Sequence, residues 1–579
     1  GDFEFGAWPR AFDQPRTRQD WNQWFREVLT FIEEIIRTGG PAREGVPATI
    51  AKTFRGMWIH TGVQNKLEHI CQEVADEGFW REGWLAIKET LHLHAPAMPT
   101  EHLHRLQALE ARLRPSTLMD EVRSVVLSNS AGIDLADLQD EEMADADTWS
   151  RLERKAQELG RSVATDTAAY RALVDELLSG SSSRLFSFGR GLAEGADYSH
   201  AFWQQLTNSL ERTTAITANV MILRGFMHEL DISRPMLARA RLDDAVTHDT
   251  LGRWFPELQI AAAIDTAAKD RLLRALLVGK APIEQYGYLV NGGATAALAP
   301  DELGEILTAL SATPEGVDTA IRILESRLRI DSRANQHPAP VLLKIGRMLL
   351  RQLPFPPRLR EGYGLQAVAQ KCLVGEDGLL VAREVASKLL GAINEGHTFS
   401  RDHEHLLIGL FGAQPTAMLD LFFAETLRHQ ESAVRSFDGL FHFRANPIHA
   451  IPEETLFAWC DQEAQRRYPI VARFIQMFEL TDNQFTKRWS SLALHLLERA
   501  PERAVILQCF IKRFVPRSWS GSLAAALEAN ARMLDLLTPP DDHVLIAFIA
   551  TEKALFLQRI DKERRSEQER SHRDYERFE

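Results

Sequence analysis

Cysteine is scarce. Cys71, Cys372, Cys460 and Cys509 stand far apart in 579 residues, with no CxxC and no metal-type spacing. That excludes a disulfide framework and predicts reduced, mostly buried thiols in a cytoplasmic protein. Long apolar runs are missing as well. HVLIAFIA (543–550) is the longest, against the roughly 18 to 20 residues that a membrane helix needs. No membrane partner is expected. A positive balance is also lacking: 67 Lys and Arg stand against 80 Asp and Glu, for a net charge of -13. Such a chain has no overall field for nucleic acid, although a local basic patch remains open. Strand-type alternation is nearly absent. The opening GDFEFGAWPRAFDQ reads as no secretory signal, and it begins with Gly1 where a native start has Met. A processed chain, an excised part of a protein, or the tail of a longer reading frame would all begin this way, and the last is the preferred expectation.

What is present is helical periodicity. DWNQWFREVLTFIEEIIRTGG (20–40) places Trp21, Phe25, Val28, Ile32 and Ile35 at spacings of three and four, and Thr38-Gly39-Gly40 ends the run. LHRLQALEARLRP (103–115) repeats the device with Leu103, Leu106, Leu109 and Leu113 before Pro115. Ser116 or Thr117 is placed to cap the next helix. APVLLKIGRMLLRQLP, REVASKLLGAINEG, HEHLLIGLFG, TAMLDLFFAETLRHQ, SLALHLLERAP and ERAVILQCFIKRFVP continue the alternation of amphipathic helix and breaker. The length exceeds one compact core. Pairs of helices that bury only part of their apolar faces must stack on further pairs. The expected fold is therefore all-α, an irregular, HEAT-like α-solenoid of stacked helical hairpins without a strict repeat period.

The expected organisation is a helical block over 1–130, an acidic loop or linker over 131–150, a middle repeat block over 151–330 and a further HEAT-like block over 331–579. GIDLADLQDEEMADADTW (132–149) supplies the acidic linker, and LSGSSSRLFSFGRGLAEG (178–195) reads as a Ser/Gly-rich connection between blocks. The end, LQRIDKERRSEQERSHRDYERFE, reads as a solvated charged helix.

Several stretches invite a chemical reading. TLHLHAPAMPTEHLHRL holds His92, His94, His102 and His104. Each pair is two residues apart, so on a helix its members point about 200° from one another. Two ligands so spaced suit a strand. One histidine from each helix, with Glu101, is the arrangement left open for a metal; helix-end packing is preferred. RDHEHLLIGLFG lacks the HExxH spacing, and His248-Asp249 in THDT has no companion ligands that the sequence places beside it. FGRGLAEG (188–195) is GxGxxxG in a helical context, without the strand a dinucleotide fingerprint requires. Gly279-Lys280 lacks both the earlier glycine and the following hydroxyl of a phosphate loop. Ser518, Ser520 and Ser522 sit between helices, where capping is expected rather than a nucleophile elbow.

These readings imply no cofactor and no catalytic residue, and they point to a non-enzymatic binding region. WFPELQ (254–259), FDGLFHFRANPIHAIPEETLFAWCDQ (437–462) and FELTDNQFTKRW (478–489) carry bulky side chains beside prolines and turns. Core packing explains most of them. Where they lie on inter-repeat loops, Trp254 and Phe255 (with Pro256), Phe441, Phe443 and Arg444, and Trp519 are the candidate contacts for a protein ligand. The rivals are an all-α metal-dependent hydrolase using His and Asp clusters, and a nucleic-acid-binding helical repeat. The sequence sets no oligomeric state.

AIKETLHLHAPAMPTEHLHRLQALEARLRPSTLMDEVRSVVLS, LFSFGRGLAEGADYSHAFWQQL, VMILRGFMHEL, LGRWFPELQ, FRANPIHAIPEETLFAWCD, RSWSGSLAAALEANARMLDLL and HRDYERFE together resemble the carboxyl-terminal helical-repeat region of large bacterial ATP-binding proteins of the STAND/NACHT-like kind, similar to antiphage-defence sensors. The resemblance spans almost the whole chain and rests on structural phrases, none of them catalytic. It implies an upstream ATPase module in cis, an effector before it, and repeats that sense a partner. Neither module lies within these residues.

Overall fold

In the computed structural model, the described residues are 17–60, 62–128, 148–214, 217–355, 363–423, 446–480, 487–516, 521–537 and 542–576. They are all-α apart from one short hairpin of strands. Contacts divide the chain into two units, Gly1–Ala263 with Leu277–Gln285, and Ile264–Leu276 with Tyr286–Glu579. The sequence reading places breaks at 131–150 and at 330/331. The first falls mostly outside the described residues. The second falls inside a continuous helix, Gly316–Arg333, whose buried Leu324 and Leu328 leave no reason for the chain to part there.

In the first unit, α1 (Arg18–Thr38) opens with a capping box. Thr17 accepts from the Asp20 N–H, and the Asp20 carboxylate accepts from the Thr17 N–H. Gly39, at φ 72°, ends it as expected. Its buried stripe is Leu29, Ile32 and Ile36, while Trp21 stays 37% exposed on the flank. These residues join α2 (Val46–Trp58), α3 (Gln64–Asp76), α4 (Arg81–His94) and α5 (Thr100–Leu113) around one core that includes Phe54, Trp58, Ile87 and Leu106. Pro99 precedes α5, and no side-chain cap forms there. Thr117 does cap α6 (Leu118–Val125), by accepting from the Asp120 N–H.

Next come α7 (Thr148–Thr165), α8 (Thr167–Ser179), α9 (Arg184–Gly195), α10 (His200–Arg212), α11 (Met221–Ser233), α12 (Pro235–Ala245) and α13 (Phe255–Gln259). The Ser/Gly-rich stretch expected as a connection is largely α9, one of the most closely packed helices of the unit. Its glycines explain why. A Cβ at Gly191 would fall within 3.0 Å of the Gln157 carbonyl on α7, and one at Gly189 within 3.0 Å of the Ile222 carbonyl on α11. Gly160 on α7 and Gly225 on α11 meet α9 carbonyls in the same way. GxGxxxG is thus the seam that lets three helix backbones touch, at contact distances that only Gly permits.

The helix α14 (Thr266–Val278) carries residues of both units. The second unit continues with α15 (Pro300–Ser311), α16 (Gly316–Arg333), α17 (Pro340–Arg351), α18 (Tyr363–Cys372), α19 (Glu376–Asn394), α20 (Glu404–Ala413) and α21 (Pro415–Phe422). Then come α22 (Glu453–Gln462) and α23 (Ala464–Phe474). Antiparallel β1 (Phe478–Leu480) and β2 (Lys487–Trp489) follow, and α24 (Ser491–Arg499), α25 (Arg503–Ile511), α26 (Leu523–Ala531) and α27 (His543–Glu576) close the order. The hairpin comes from FELTDNQFTKRW. Its Trp489 donates to the Met533 carbonyl at 2.7 Å and meets Phe478 edge-on at 4.9 Å, so the aromatic face, not strand length, holds it. Ser522 caps α26 by accepting from the Ala525 N–H, as its position between helices implied. The charged α27 is not wholly solvated: Leu545, Phe556 and Ile560 are buried. Its Glu567 carboxylate also accepts from the Ser522 hydroxyl at 2.6 Å and the Ala524 N–H at 3.0 Å.

Within each unit a helix typically packs on its successor and on the helix after that. Polar ties mark the same step. In the first unit they join Arg43 to Glu77, Arg105 to Glu68, Arg161 to Glu194, Arg190 to Glu229 and Arg224 to Glu257. In the second they join Lys269 to Glu305, Arg351 to Glu384, His405 to Gln366, Trp459 to Asp420, Arg499 to Asp461 and Arg564 to Glu528. Every one of these spans between 33 and 39 residues. Other inter-helix ties span 30 residues (Arg347 to Asp377) or 53 (Arg123 to Glu176), so the spacing is loose and not a fixed period.

A candidate ligand groove between α22 and α24

Pro452 leads into α22, so Glu453 and Glu454 occupy its first turn, where carboxylates complement the amino-terminal end of the helix dipole. Two helices later, α24 starts from Ser490, whose hydroxyl accepts from the Ala493 N–H. It carries His495, Glu498 and Arg499. Two contacts bridge the helices. His495 Nδ1 lies 2.5 Å from Glu453 Oε1, and Arg499 Nη2 donates to Asp461 Oδ2 at 2.7 Å. Between them lies an open groove of about 580 Å³ lined by Glu453, Glu454, Phe457, His495, Glu498 and Arg499.

Its floor is rigid. Phe457 is buried, and the Arg499 guanidinium carbon stands 5.0 Å from the centre of its ring. Asp461 is fixed from both sides, since Tyr468 also donates to it at 2.7 Å. Burial, followed by the hydrogen bond to Asp461, pushes the Tyr468 hydroxyl pKa up. The Arg499 pKa is raised by its hydrogen bond to the same carboxylate. The rim is acidic and exposed at Glu454 and Glu498. The groove therefore offers exposed carboxylates above a buried aromatic ring.

The residues singled out from sequence fall elsewhere. Phe255 is fully buried, and Pro256 is buried beside it, so Phe255 is a core residue and presents no surface to a partner. Its place at the start of α13, which packs on α11 and α12, explains this. Trp254 is half-buried, with the Arg253 guanidinium 5.8 Å from its ring. Phe441, Phe443, Arg444 and Trp519 lie outside the described residues. The groove itself is half in view in the sequence: PEETLFAWCDQ stands out for its aromatics, and SLALHLLERA only as an amphipathic helix. Their union depends on the repeat step, which the sequence does not display.

The motifs set aside for catalysis have structural partners. His248 Nδ1 accepts from the Thr250 and Leu251 N–H groups. Lys280 donates to Asp249 at 2.7 Å and to the Thr247 carbonyl at 2.6 Å, so His248-Asp249 and Gly279-Lys280 belong to one corner. His403 Nε2 lies 2.9 Å from the Thr398 hydroxyl. Among the described residues no group of three His, Cys, Asp or Glu side chains is arranged to hold a metal, and no helix is long and apolar enough to cross a membrane.

Neither the family models nor the curated proteins contain a match to this chain.

Proposed function

We propose that this chain is a helical-repeat recognition region that binds a protein ligand, and that it serves as the sensor arm of a larger ATP-binding protein. The observation that carries the binding reading is the groove between α22 and α24. It lies between a helix and the next but one, with a buried aromatic floor and exposed carboxylates. The packing of helices on their successors and on the helices after those supports reading them as a degenerate α-solenoid. Such arrays present many shallow contacts and a few aromatic anchors. A ligand that fits one shape of the array better than another would bias a neighbouring module. The ATPase in cis rests on the family resemblance alone.

A photo-crosslinker placed at position 454 tests the groove, with one at exposed Glu395 as control. One defined adduct at 454 that is lost on Glu498→Lys is the expected result. No adduct, or equal labelling at both positions, would overturn the groove as the ligand site. The sensor-arm part is tested separately, by reading the coding frame upstream of Gly1. An open frame running into GxxxxGK[ST] is expected, and a stop codon followed by a start directly before Gly1 would remove it.

A further inference from the structure

Among the described residues, one buried charge of the first unit has no counter-charge. Arg241, on α12, is only 4% exposed. Its Nη2 donates to the Tyr198 carbonyl at 3.1 Å. Its Nε and Nη1 are buried and have no acceptor among the described residues. Two aromatic faces flank it, Trp203 at 5.4 Å and Phe226 at 5.9 Å. Ring faces partly offset the lost hydration of a guanidinium, but they supply no hydrogen-bond acceptor. A buried ion left so is costly, and native structures normally pair it. Burial lowers the Arg241 pKa from its ordinary value, as expected of an uncompensated cation.

The carbonyl that Arg241 does use belongs to an unusual corner. Between α9 and α10, Asp197 and Tyr198 are both left-handed, at φ 47° and 56°. Two successive residues of this kind, neither of them Gly, store backbone strain. A second arginine, at the start of the helix that carries Arg241, touches the outer side of the corner. Arg234 lies over the Tyr198 ring at 5.5 Å and reaches Asp197 only at 3.8 Å, with both side chains largely exposed. Arg234 and Arg241 are seven residues apart, two turns of helix and about 10.5 Å along the axis, within the combined reach of two arginine side chains. The corner thus separates two guanidinium groups, one inside and one outside, and is strained where it does so.

We propose that the 195–199 corner covers a latent oxyanion site of the phosphate class, in which Arg241 and Arg234 become the two cationic arms once Asp197 and Tyr198 leave the left-handed conformation. Release of the Tyr198 carbonyl frees the end of the Arg241 guanidinium. A phosphate oxygen takes the place of that carbonyl and brings the charge the pocket lacks. Arginine suits this role because its planar fork engages phosphate oxygens in pairs. The strain of the closed corner reduces the cost of opening it.

Inorganic phosphate is the probe, added to the full chain at fixed pH, with chloride matching the ionic strength. Phosphate is expected to raise the unfolding temperature saturably beyond the chloride control. Arg241→Met should weaken that binding roughly tenfold or more. Tyr198→Gly, which relaxes the closed corner without changing its charge, should weaken it to a smaller extent and leave Arg241 intact. Should Arg241→Met fail to fold, Arg234→Gln joins Tyr198→Gly as the reading, and both must weaken phosphate binding. No saturable effect of phosphate would overturn the proposal and leave Arg241 a structural cation. An effect that persists unchanged in the variants would overturn it too, as binding at other basic groups.

Discussion

Replacing Gly191 by alanine sets two physical effects of opposite sign against each other, and the structure decides between them. In a helix interior, Gly→Ala gains about 1 kcal/mol from propensity alone. Gly191, however, lies in α9 where a Cβ would fall within 3.0 Å of the Gln157 carbonyl, and a backbone oxygen cannot rotate away. Relief requires α9 to move off α7, which also loosens the approach of Gly160 to the Phe188 carbonyl on the same seam. Overpacking of this kind costs about 1 to 3 kcal/mol, and a rigid backbone partner puts it at the upper end. The expected net loss is about 2 kcal/mol. Gly391, inside α19, is the control, because nothing lies within 4 Å of its would-be Cβ. There only the propensity gain remains, so Gly391→Ala should stabilise by up to about 1 kcal/mol. Urea unfolding of both variants, followed by hydrogen exchange in α9 and α19 so that the two units are read separately, gives the comparison. If Gly191→Ala stabilises α9 as Gly391→Ala stabilises α19, the backbone seam is refuted.

Two further outcomes follow from charge and burial. Burial pushes the thiols of Cys372 and Cys460 up to about 12 and raises that of Cys71 as well, whereas Cys509 is only half-buried. Maleimide labelling of the native chain, mapped by mass spectrometry, should find Cys509 modified first and the other three only after denaturation. Glu463 is held down to about 2, chiefly by the Arg466 hydrogen bond, with Arg467 adding to it. Its carboxylate therefore supports the folded state fully above the ordinary value of 4.5, and this support is lost as pH falls from there towards about 2. Glu463→Gln should flatten that part of the acid-unfolding profile, and an unchanged profile would contradict the assignment.

Much of the local architecture is legible in the sequence, because caps and breakers are short-range chemistry. Thr117, Ser522 and Gly39 do at helix ends what their types imply. Three features escape it. The Gly189–Gly195 run reads as a breaker because glycine is a poor helix former. The contacts that reward it lie on other helices, at Gln157 and Ile222. Phe255 reads as a loop anchor beside Pro256, since nothing local reveals that the short α13 is covered by α11 and α12. The groove escapes because His495 finds Glu453 across 42 residues, and Arg499 finds Asp461 across 38. Neither pair forms a motif until the repeat step is known.

That step also bears on how damage would spread. Because a polar tie such as Arg190 to Glu229 reaches only the next helix but one, breaking it disturbs its neighbours and no more distant helix directly. Within a unit, cooperativity then has a short correlation length, so helices at an end can fray while those further along keep their structure.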